Sequence, residues 1–377
     1  MELKPIIKAL LHNKLGAILV AAQIAVTLTV LCNGAFIAWK RYEHMTRPTG
    51  MDVENIFTIH SIGLDESADE LAAMERDLAE IRALPGVVAA TTTTSIPLSG
   101  GGWGEGLKRE PDPEKPSITA NLYYMDEQAI DALGVTLAAG RAFDAAEISI
   151  QEPRVSDYPD ITVITQALAD ELFPDGGALG QTVYVSEQPL RVVGILERMQ
   201  GAWLGWDGVE RVLLLPGRML DSYATYLIRT EPGERDRLMA TVEERLAAID
   251  GNRILRRNTS LAEYRADSYA GDRAVAFTLL TVIVLLVIIT ALGIVGLVSF
   301  LVSQRTKQVG TRRALGAQRF HVVRYFLVEN WLITTVGLSI GLVLTVGLNY
   351  WMVSSFEMTR MDWRFLPGGL LLIWTLA

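Results

Sequence analysis

The densest chemistry in this sequence is cationic. Residues 304–317 read QRTKQVGTRRALGA and carry Arg305, Lys307, Arg312 and Arg313. Such a cluster is a basic segment between two apolar runs rather than a bond-making constellation. Val309, Leu315, Phe320, Val323 and Leu327 form a rough apolar stripe along the same stretch. That spacing predicts a short amphipathic helix lying on a membrane surface. Positive charge on the inner side of two spans would explain the composition equally well. Elsewhere the reactive residue types are dispersed. The four histidines, His12, His44, His60 and His321, are far apart in sequence, so a histidine metal site is not expected. There is no G-x-x-x-x-G-K-[ST] run and no H-E-x-x-H run, and no strand–turn–helix nucleophile elbow is expected. Acid pairs such as Asp65-Glu66 and Glu243-Glu244 read as solvated surface. The glycine-rich run Ser99–Gly104 leads into EPDPEKP, not into a helix, so it reads as a flexible loop rather than a phosphate cradle. Trp203 and Trp206, in GAWLGWDG, offer an exposed contact surface, or else ordinary packing. The chain is therefore expected not to be an enzyme and to hold no cofactor or metal of its own. Nothing in it suggests a nucleic-acid partner.

The elements that carry these residues are set by segregation of charge from apolar sequence. Half of the 377 residues are hydrophobic, yet 20% are charged, and mean hydropathy is +0.26. Leu15–Trp39, Ala274–Val302 and Trp331–Val353 are apolar runs long enough to cross about 30 Å of hydrocarbon as helices. A fourth run opens at Phe365 behind Pro367, Gly368 and Gly369, and reads as a fourth span that this sequence cuts short. The first run is longer than a signal-peptide core, and Trp39-Lys40-Arg41 is a poor cleavage context, so an anchor is expected. Leu31 before Cys32 argues against a lipoprotein box. As the single cysteine, Cys32 excludes an intramolecular disulfide and reads as a small packing residue.

Charge sets the orientation. Residues 49–273 hold 38 acidic and 20 basic side chains, whereas the remainder holds 5 acidic and 14 basic. Short basic segments beside spans stay in the cytoplasm, and long domains cross regardless of charge. The expected plan is a cytoplasmic N-terminus (1–14), span 1 (15–40), an outer domain (41–273), span 2 (274–302), a cytoplasmic segment (303–325), span 3 (326–353), a short outer loop (354–364) and the start of span 4 (365–377). Lys40, Arg41 and Arg47 oppose this plan and are outnumbered. Within the outer domain, 54–62, 87–94, 223–230 and 252–257 read as strands, and 67–84 and 233–249 as helices. Two strand–helix–strand units around an insertion at about 96–220 predict an α+β domain with a split, ferredoxin-like core. The insertion reads as short strands and turns with one helix at Gln166–Phe173.

The run R-x-K-Q-V-G-x-R-R-A-L-G-A, with Glu329 about a dozen residues on and a glycine-containing span beyond, resembles the FtsX-like permease domain. Gln308 stands where that family usually has Glu. The stretches Tyr123–Glu147 and Ile161–Leu196 resemble the periplasmic domain of MacB-type permeases, including Ala132, Leu133, Gly134, Val135, Gly140, Arg141 and Phe143. The resemblance implies an inner-membrane ABC transporter permease that pairs with a second permease, identical or not. It implies a cytoplasmic ATPase that binds ATP and magnesium, here expected on a separate chain because only about 14 residues precede the first span. It implies mechanotransmission rather than a pore, with Arg305, Lys307, Gly310, Arg312, Arg313, Leu315, Gly316 and Glu329 coupling to the ATPase. Gly293, Gly296, Gly337 and Gly341 would permit close helix approach in a dimer, and packing within the chain or facing lipid fits each of them equally well. A periplasmic adaptor, an outer-membrane channel and membrane lipid are further partners the resemblance suggests. A lipoprotein-releasing permease of the same topology, or a membrane-anchored ligand-binding sensor without an ATPase, fits the same sequence.

Overall fold

The computed structural model describes residues 14–64, 69–152, 157–221, 223–304, 319–356 and 359–376. It divides into two compact units, Met1–Arg47 with Gly271–Ala377 and Pro48–Ala270. The first unit opens with α1 (Lys14–Met45). The second runs through β1 (Ile56–Gly63), α2 (Glu70–Arg82), β2 (Val87–Thr92), β3 (Trp103–Lys108), β4 (Ile118–Met125), α3 (Ala129–Leu133), β5 (Leu137–Gly140) and β6 (Ser149–Gln151). It continues as β7 (Ile161–Thr165), α4 (Gln166–Leu172), β8 (Thr182–Val185), β9 (Gln188–Leu196), β10 (Val212–Met219), β11 (Tyr223–Thr230), α5 (Arg235–Ile249), β12 (Arg253–Ser260) and α6 (Leu261–Ser268). The chain then returns to the first unit as α7 (Ala270–Gln304), α8 (Arg319–Phe356) and α9 (Phe365–Leu376).

Two strand–helix–strand units, β1-α2-β2 and β11-α5-β12, share one antiparallel sheet in the order β12-β1-β11-β2. This is a split βαββαβ arrangement. Alternation along β1 sends Phe57 and Ile59 toward the helices. There they meet Met74, Leu78 and Ile81 of α2 and Leu238, Val242 and Leu246 of α5. Asp69 caps α2 by accepting from the Ala72 N–H at 3.0 Å. Past its end, Gly86 takes a φ of +96°, where a side chain would be strained.

The insertion between β2 and β11 is more ordered than its sequence suggests. Strands β4-β3-β8-β9-β7-β10 follow one another, and β10 pairs back with β4, so six strands close on themselves. The closing contact is parallel, Val212↔Asn121 through Pro216↔Met125. Leu122, Ile164, Val183, Val192 and Leu213 fill the interior, with Leu168 and Leu172 of α4 packed against them. Closure removes the sheet edges that short strands would otherwise expose.

In the helical unit, α1 contributes most of the core. Ile24, Leu28 and Cys32 pack with Ile294 of α7, Ile333 of α8 and Ile373 of α9. Several polar groups inside are paired. Thr27 and Thr290 share a 2.7 Å hydroxyl contact, and Asn33 Nδ2 donates to the Thr29 and Thr345 carbonyls at 3.0 and 3.3 Å. The outer faces of α7 and α8 present apolar side chains such as Phe277, Leu292 and Val343, a surface that hydrocarbon solvates without cost.

Several expected boundaries move. Helix α1 runs on to Met45, its charges held by Lys40–Glu43 at 2.8 Å and Arg41–Asp272 at 2.6 Å. Helix α8 starts at Arg319. Phe320, Val323 and Leu327, expected in a separate surface helix, are the first turns of the span-3 helix. No glycine or proline interrupts 319–336, so nothing breaks the hydrogen-bond ladder there. Among the described residues three helices, Leu15–Met45, Ala270–Phe300 and Phe326–Phe356, are long and apolar enough to cross a membrane. The expected fourth span is represented by α9, 12 residues and about 18 Å long, with Pro367 tolerated in its first turn. Gly337-Leu338-Ser339-Ile340-Gly341 does spell G-x-S-x-G. It lies inside α8, with the Ser339 hydroxyl donating to the Thr335 carbonyl at 2.8 Å, so it forms no nucleophile elbow.

Candidate functional site

Of the residues expected to couple to a partner, Arg305, Lys307, Gly310, Arg312, Arg313, Leu315 and Gly316 lie outside the described residues, as do Val309 and Gln308. Glu329 is described. It is 1% exposed, within the helical unit on α8 beside buried Asn330 and Thr334. A surface contact with another protein is not what this position offers.

The glycines expected at helix contacts separate into two kinds. A Cβ on Gly293 would come within 2.5 Å of the Gln23 side chain. One on Gly337 would lie 2.9 Å from the Ala21 carbonyl and from Ile24, and one on Gly341 3.0 Å from the Ala25 backbone. All three let α7 or α8 approach α1 of the same chain. Gly296 has nothing within 4 Å. Gly337→Leu should therefore force α8 off α1 and cost about 1–3 kcal/mol of helical-unit stability. Gly296→Leu should leave the monomer unchanged. Thermal unfolding of both variants in detergent checks this, and equal midpoints would refute it.

Trp203 and Trp206 are half-buried in the turn before β10. Their rings meet edge to face at 6.2 Å, Trp203 lies over Gly104, and the Arg211 guanidinium sits 5.7 Å from the Trp206 ring. The pair is largely engaged with its own domain. The glycine-rich run expected as a flexible loop is also held. Leu98 and Gly100 donate backbone bonds to the Gly201 and Ala202 carbonyls, and a Cβ on Gly102 would lie 2.7 Å from Ala202.

The Gly140, Arg141 and Phe143 string has local work to do. Gly140 takes φ +79° at the end of β5, and Phe143 is buried. The Arg141 guanidinium makes paired bonds of 2.7 and 2.6 Å to Glu147, which hold that carboxyl down at about 2.

Spacing in the sequence did not reveal the ion cluster that joins barrel and sheet. Asp126, at the end of β4, is fully buried. Its Oδ2 accepts from Arg82 of α2 at 2.7 Å and from Arg218 of β10 at 3.4 Å. Glu127 and Glu75 complete the cluster at 3.2 to 3.4 Å. Three elements distant in sequence meet at one carboxylate. The cluster ties α2 of the sheet layer to β4 and β10 of the barrel. Among the described residues no group of three or more His, Cys, Asp or Glu side chains is placed to hold a metal ion.

Residues 23–249 match the family described as MacB-like periplasmic core domain, and residues 280–377 match FtsX-like permease C-terminal. The macrolide export ATP-binding/permease protein MacB of Neisseria gonorrhoeae is 26% identical over 346 residues, covering 90% of this chain and 50% of that one. Its counterpart from Neisseria meningitidis is 27% identical over 355 residues with the same coverage. The chain thus spans about half the length of the curated relatives it matches. Among solved structures, the periplasmic region of MacB from Actinobacillus actinomycetemcomitans aligns with TM-score 0.35 and 16% identity, covering 55% of this chain and 91% of that one. The extracellular domain of the transporter YknZ from Gram-positive bacteria aligns with TM-score 0.34 and 14% identity, covering 53% and 97%. With one model covering well over half of the sequence and a second taking up the C-terminal helices, this chain belongs to the MacB-like permease family, a multi-pass membrane protein carrying a MacB-like periplasmic core domain.

Proposed function

We propose that this chain is the permease part of an ATP-driven exporter of the inner membrane, working by mechanotransmission. The N-terminus and residues 303–325 face the cytoplasm, and Pro48–Ala270 lies in the periplasm. A cytoplasmic ATPase binds ATP and magnesium and docks on the basic segment through Arg312 and Arg313, with backbone contact near Gly310 and Gly316. Approach of two ATPases draws the helices of two permeases together, and the stroke reaches the periplasmic unit. A periplasmic adaptor and an outer-membrane channel would carry cargo onward. Since the relatives are named for macrolide export, a macrolide is the first cargo to try.

The observation that carries this reading is the order of parts. One long apolar helix precedes a compact folded unit, and further apolar helices follow, with a strongly basic segment between two of them. The described spans hold few ionisable side chains, which favours a stroke over a hydrophilic path through the bilayer.

Replacing Arg312 and Arg313 together by glutamate tests it. Reversed charge should weaken co-purification of the ATPase by more than about tenfold and uncouple its turnover from cargo. The periplasmic unit should melt as before. Unchanged co-purification with unchanged coupled turnover would sink the proposal.

A further inference from the structure

The face of the four-stranded sheet turned away from α2 and α5 carries a cavity of about 560 Å³ that the proposed stroke does not use. Alternation places His60 of β1 with Tyr223 and Thr225 of β11 on that face, while Ile59 and Tyr226 point to the helix-covered core. Trp103 and Tyr264 line it as well.

The next strand supplies two cations where a regular strand could supply one. Consecutive residues of a strand point to opposite faces. Arg256 pairs with His60 and so shares its face. Arg257 should then point toward α5. Instead the register slips between Thr58 and His60, which face Thr259 and Arg256, leaving one extra residue in β12. Arg257 takes φ +53°, a left-handed conformation that a non-glycine residue adopts at a cost. The result is that Arg256 and Arg257 both line the cavity. Strain kept at a bulge that re-aims a charged side chain is a signature of function.

The surroundings favour an anion. Residues 49–273 are rich in carboxylates, yet none lines this cavity. Among the described residues neither Arg256 nor Arg257 has an ion-pair partner. His60 Nδ1 lies 3.2 Å from the Thr225 hydroxyl, and its Nε2 is buried with no partner. The Tyr264 hydroxyl is likewise buried and unpartnered. Buried polar atoms without partners are costly unless something completes them. Desolvation, with Arg257 and Arg256 adding to it, lowers the His60 pKa and favours the neutral ring, and in the tautomer whose Nδ1 accepts the Thr225 hydroxyl, Nε2 carries a proton to donate. Trp103 and Tyr223 add exposed ring surface beside the cations.

We propose that this cavity binds a small amphiphile with an anionic oxygen headgroup, the head on Arg256, Arg257, His60 and Tyr264, the apolar body on Trp103 and Tyr223. The site stands without the transport reading, because its residues all belong to one folded unit.

Calorimetric titration of the full chain in neutral detergent with 1-naphthyl phosphate tests it. Saturable binding at one site per chain is expected. The double variant Arg256→Ala/Arg257→Gly should weaken it by about tenfold or more, since charge-assisted bonds are lost. Glycine accepts the positive φ at 257, so this variant should melt no lower than the parent. Displacement by short-chain phosphatidic acid would support a lipid head as the natural ligand, and its failure to displace would support a soluble anion. No saturable binding overturns the proposal. So does equal affinity for 2-naphthol, which lacks the charge, or for inorganic phosphate, which lacks the body, or unchanged affinity in a folded double variant.

Discussion

Arg253→Met should destabilise the periplasmic unit by about 3–5 kcal/mol, the cost of leaving a buried carboxylate without its cation. Arg253 opens β12 and Asp77 sits on α2, with side chains 4% and 2% exposed. The guanidinium and the Tyr226 hydroxyl both donate to Asp77 Oδ2, the hydroxyl at 2.8 Å, and Asp77 Oδ1 has no partner. One oxygen therefore carries the whole compensation for burying the charge. The Tyr226 phenol is itself pushed well above its usual pKa, first by burial and then by the Asp77 charge. Tyr226→Phe should cost only about 1 kcal/mol, since the ion pair survives it. Removing both charges with Asp77→Leu/Arg253→Met should recover much of the single-variant loss, because no charge is then left buried. Urea unfolding of the four proteins gives the comparison. A loss below about 1 kcal/mol for Arg253→Met alone would contradict the argument.

The sequence showed the membrane helices and the split sheet because both are local patterns. Leu15–Met45 is apolar over its own length, and Leu238, Val242 and Leu246 mark the buried face of α5 by spacing alone. The barrel was opaque for the opposite reason. Its closure depends on Val212 meeting Asn121 across some ninety positions, and no periodicity encodes a partner that far away. Arg253, Arg256 and Arg257 look alike in sequence. One is buried in an ion pair on the helix side, and two face a cavity on the other, separated by a bulge that only the β1 register reveals. Of the four helix glycines, Gly293, Gly337 and Gly341 lie against α1 and Gly296 faces open space. Which helix each one touches was not legible in the sequence, since Gly293 and Gly296 differ only in what stands opposite them.

Asp126→Ala should loosen the joint between sheet layer and barrel and cost about 3 kcal/mol, the lower end for breaking a buried ion pair. The carboxylate is fully buried, but Arg82 and Arg218 are 23% and 13% exposed, and Glu127 already contacts both. Water and Glu127 would therefore take up part of the freed charge. Asp126 also orders its own turn, with Oδ1 accepting the Gln128 N–H at 3.0 Å and its backbone N–H bonded to Thr91 Oγ1 at 3.2 Å. Asp126→Asn keeps the shape and one acceptor oxygen while removing the charge that draws both guanidiniums to one point. Amide exchange should rise at β4, β10 and the end of α2 in both variants and stay unchanged in α5, which contributes no residue to the ion pairs of the cluster. If a stroke driven from the membrane crosses this joint, the Asn variant keeps ATPase turnover and loses cargo export while its unfolding midpoint moves less than that of the Ala variant. Uniform exchange across the whole unit would mean that Asp126 serves global stability alone. Wild-type export in the Asn variant would mean that the stroke does not pass through it.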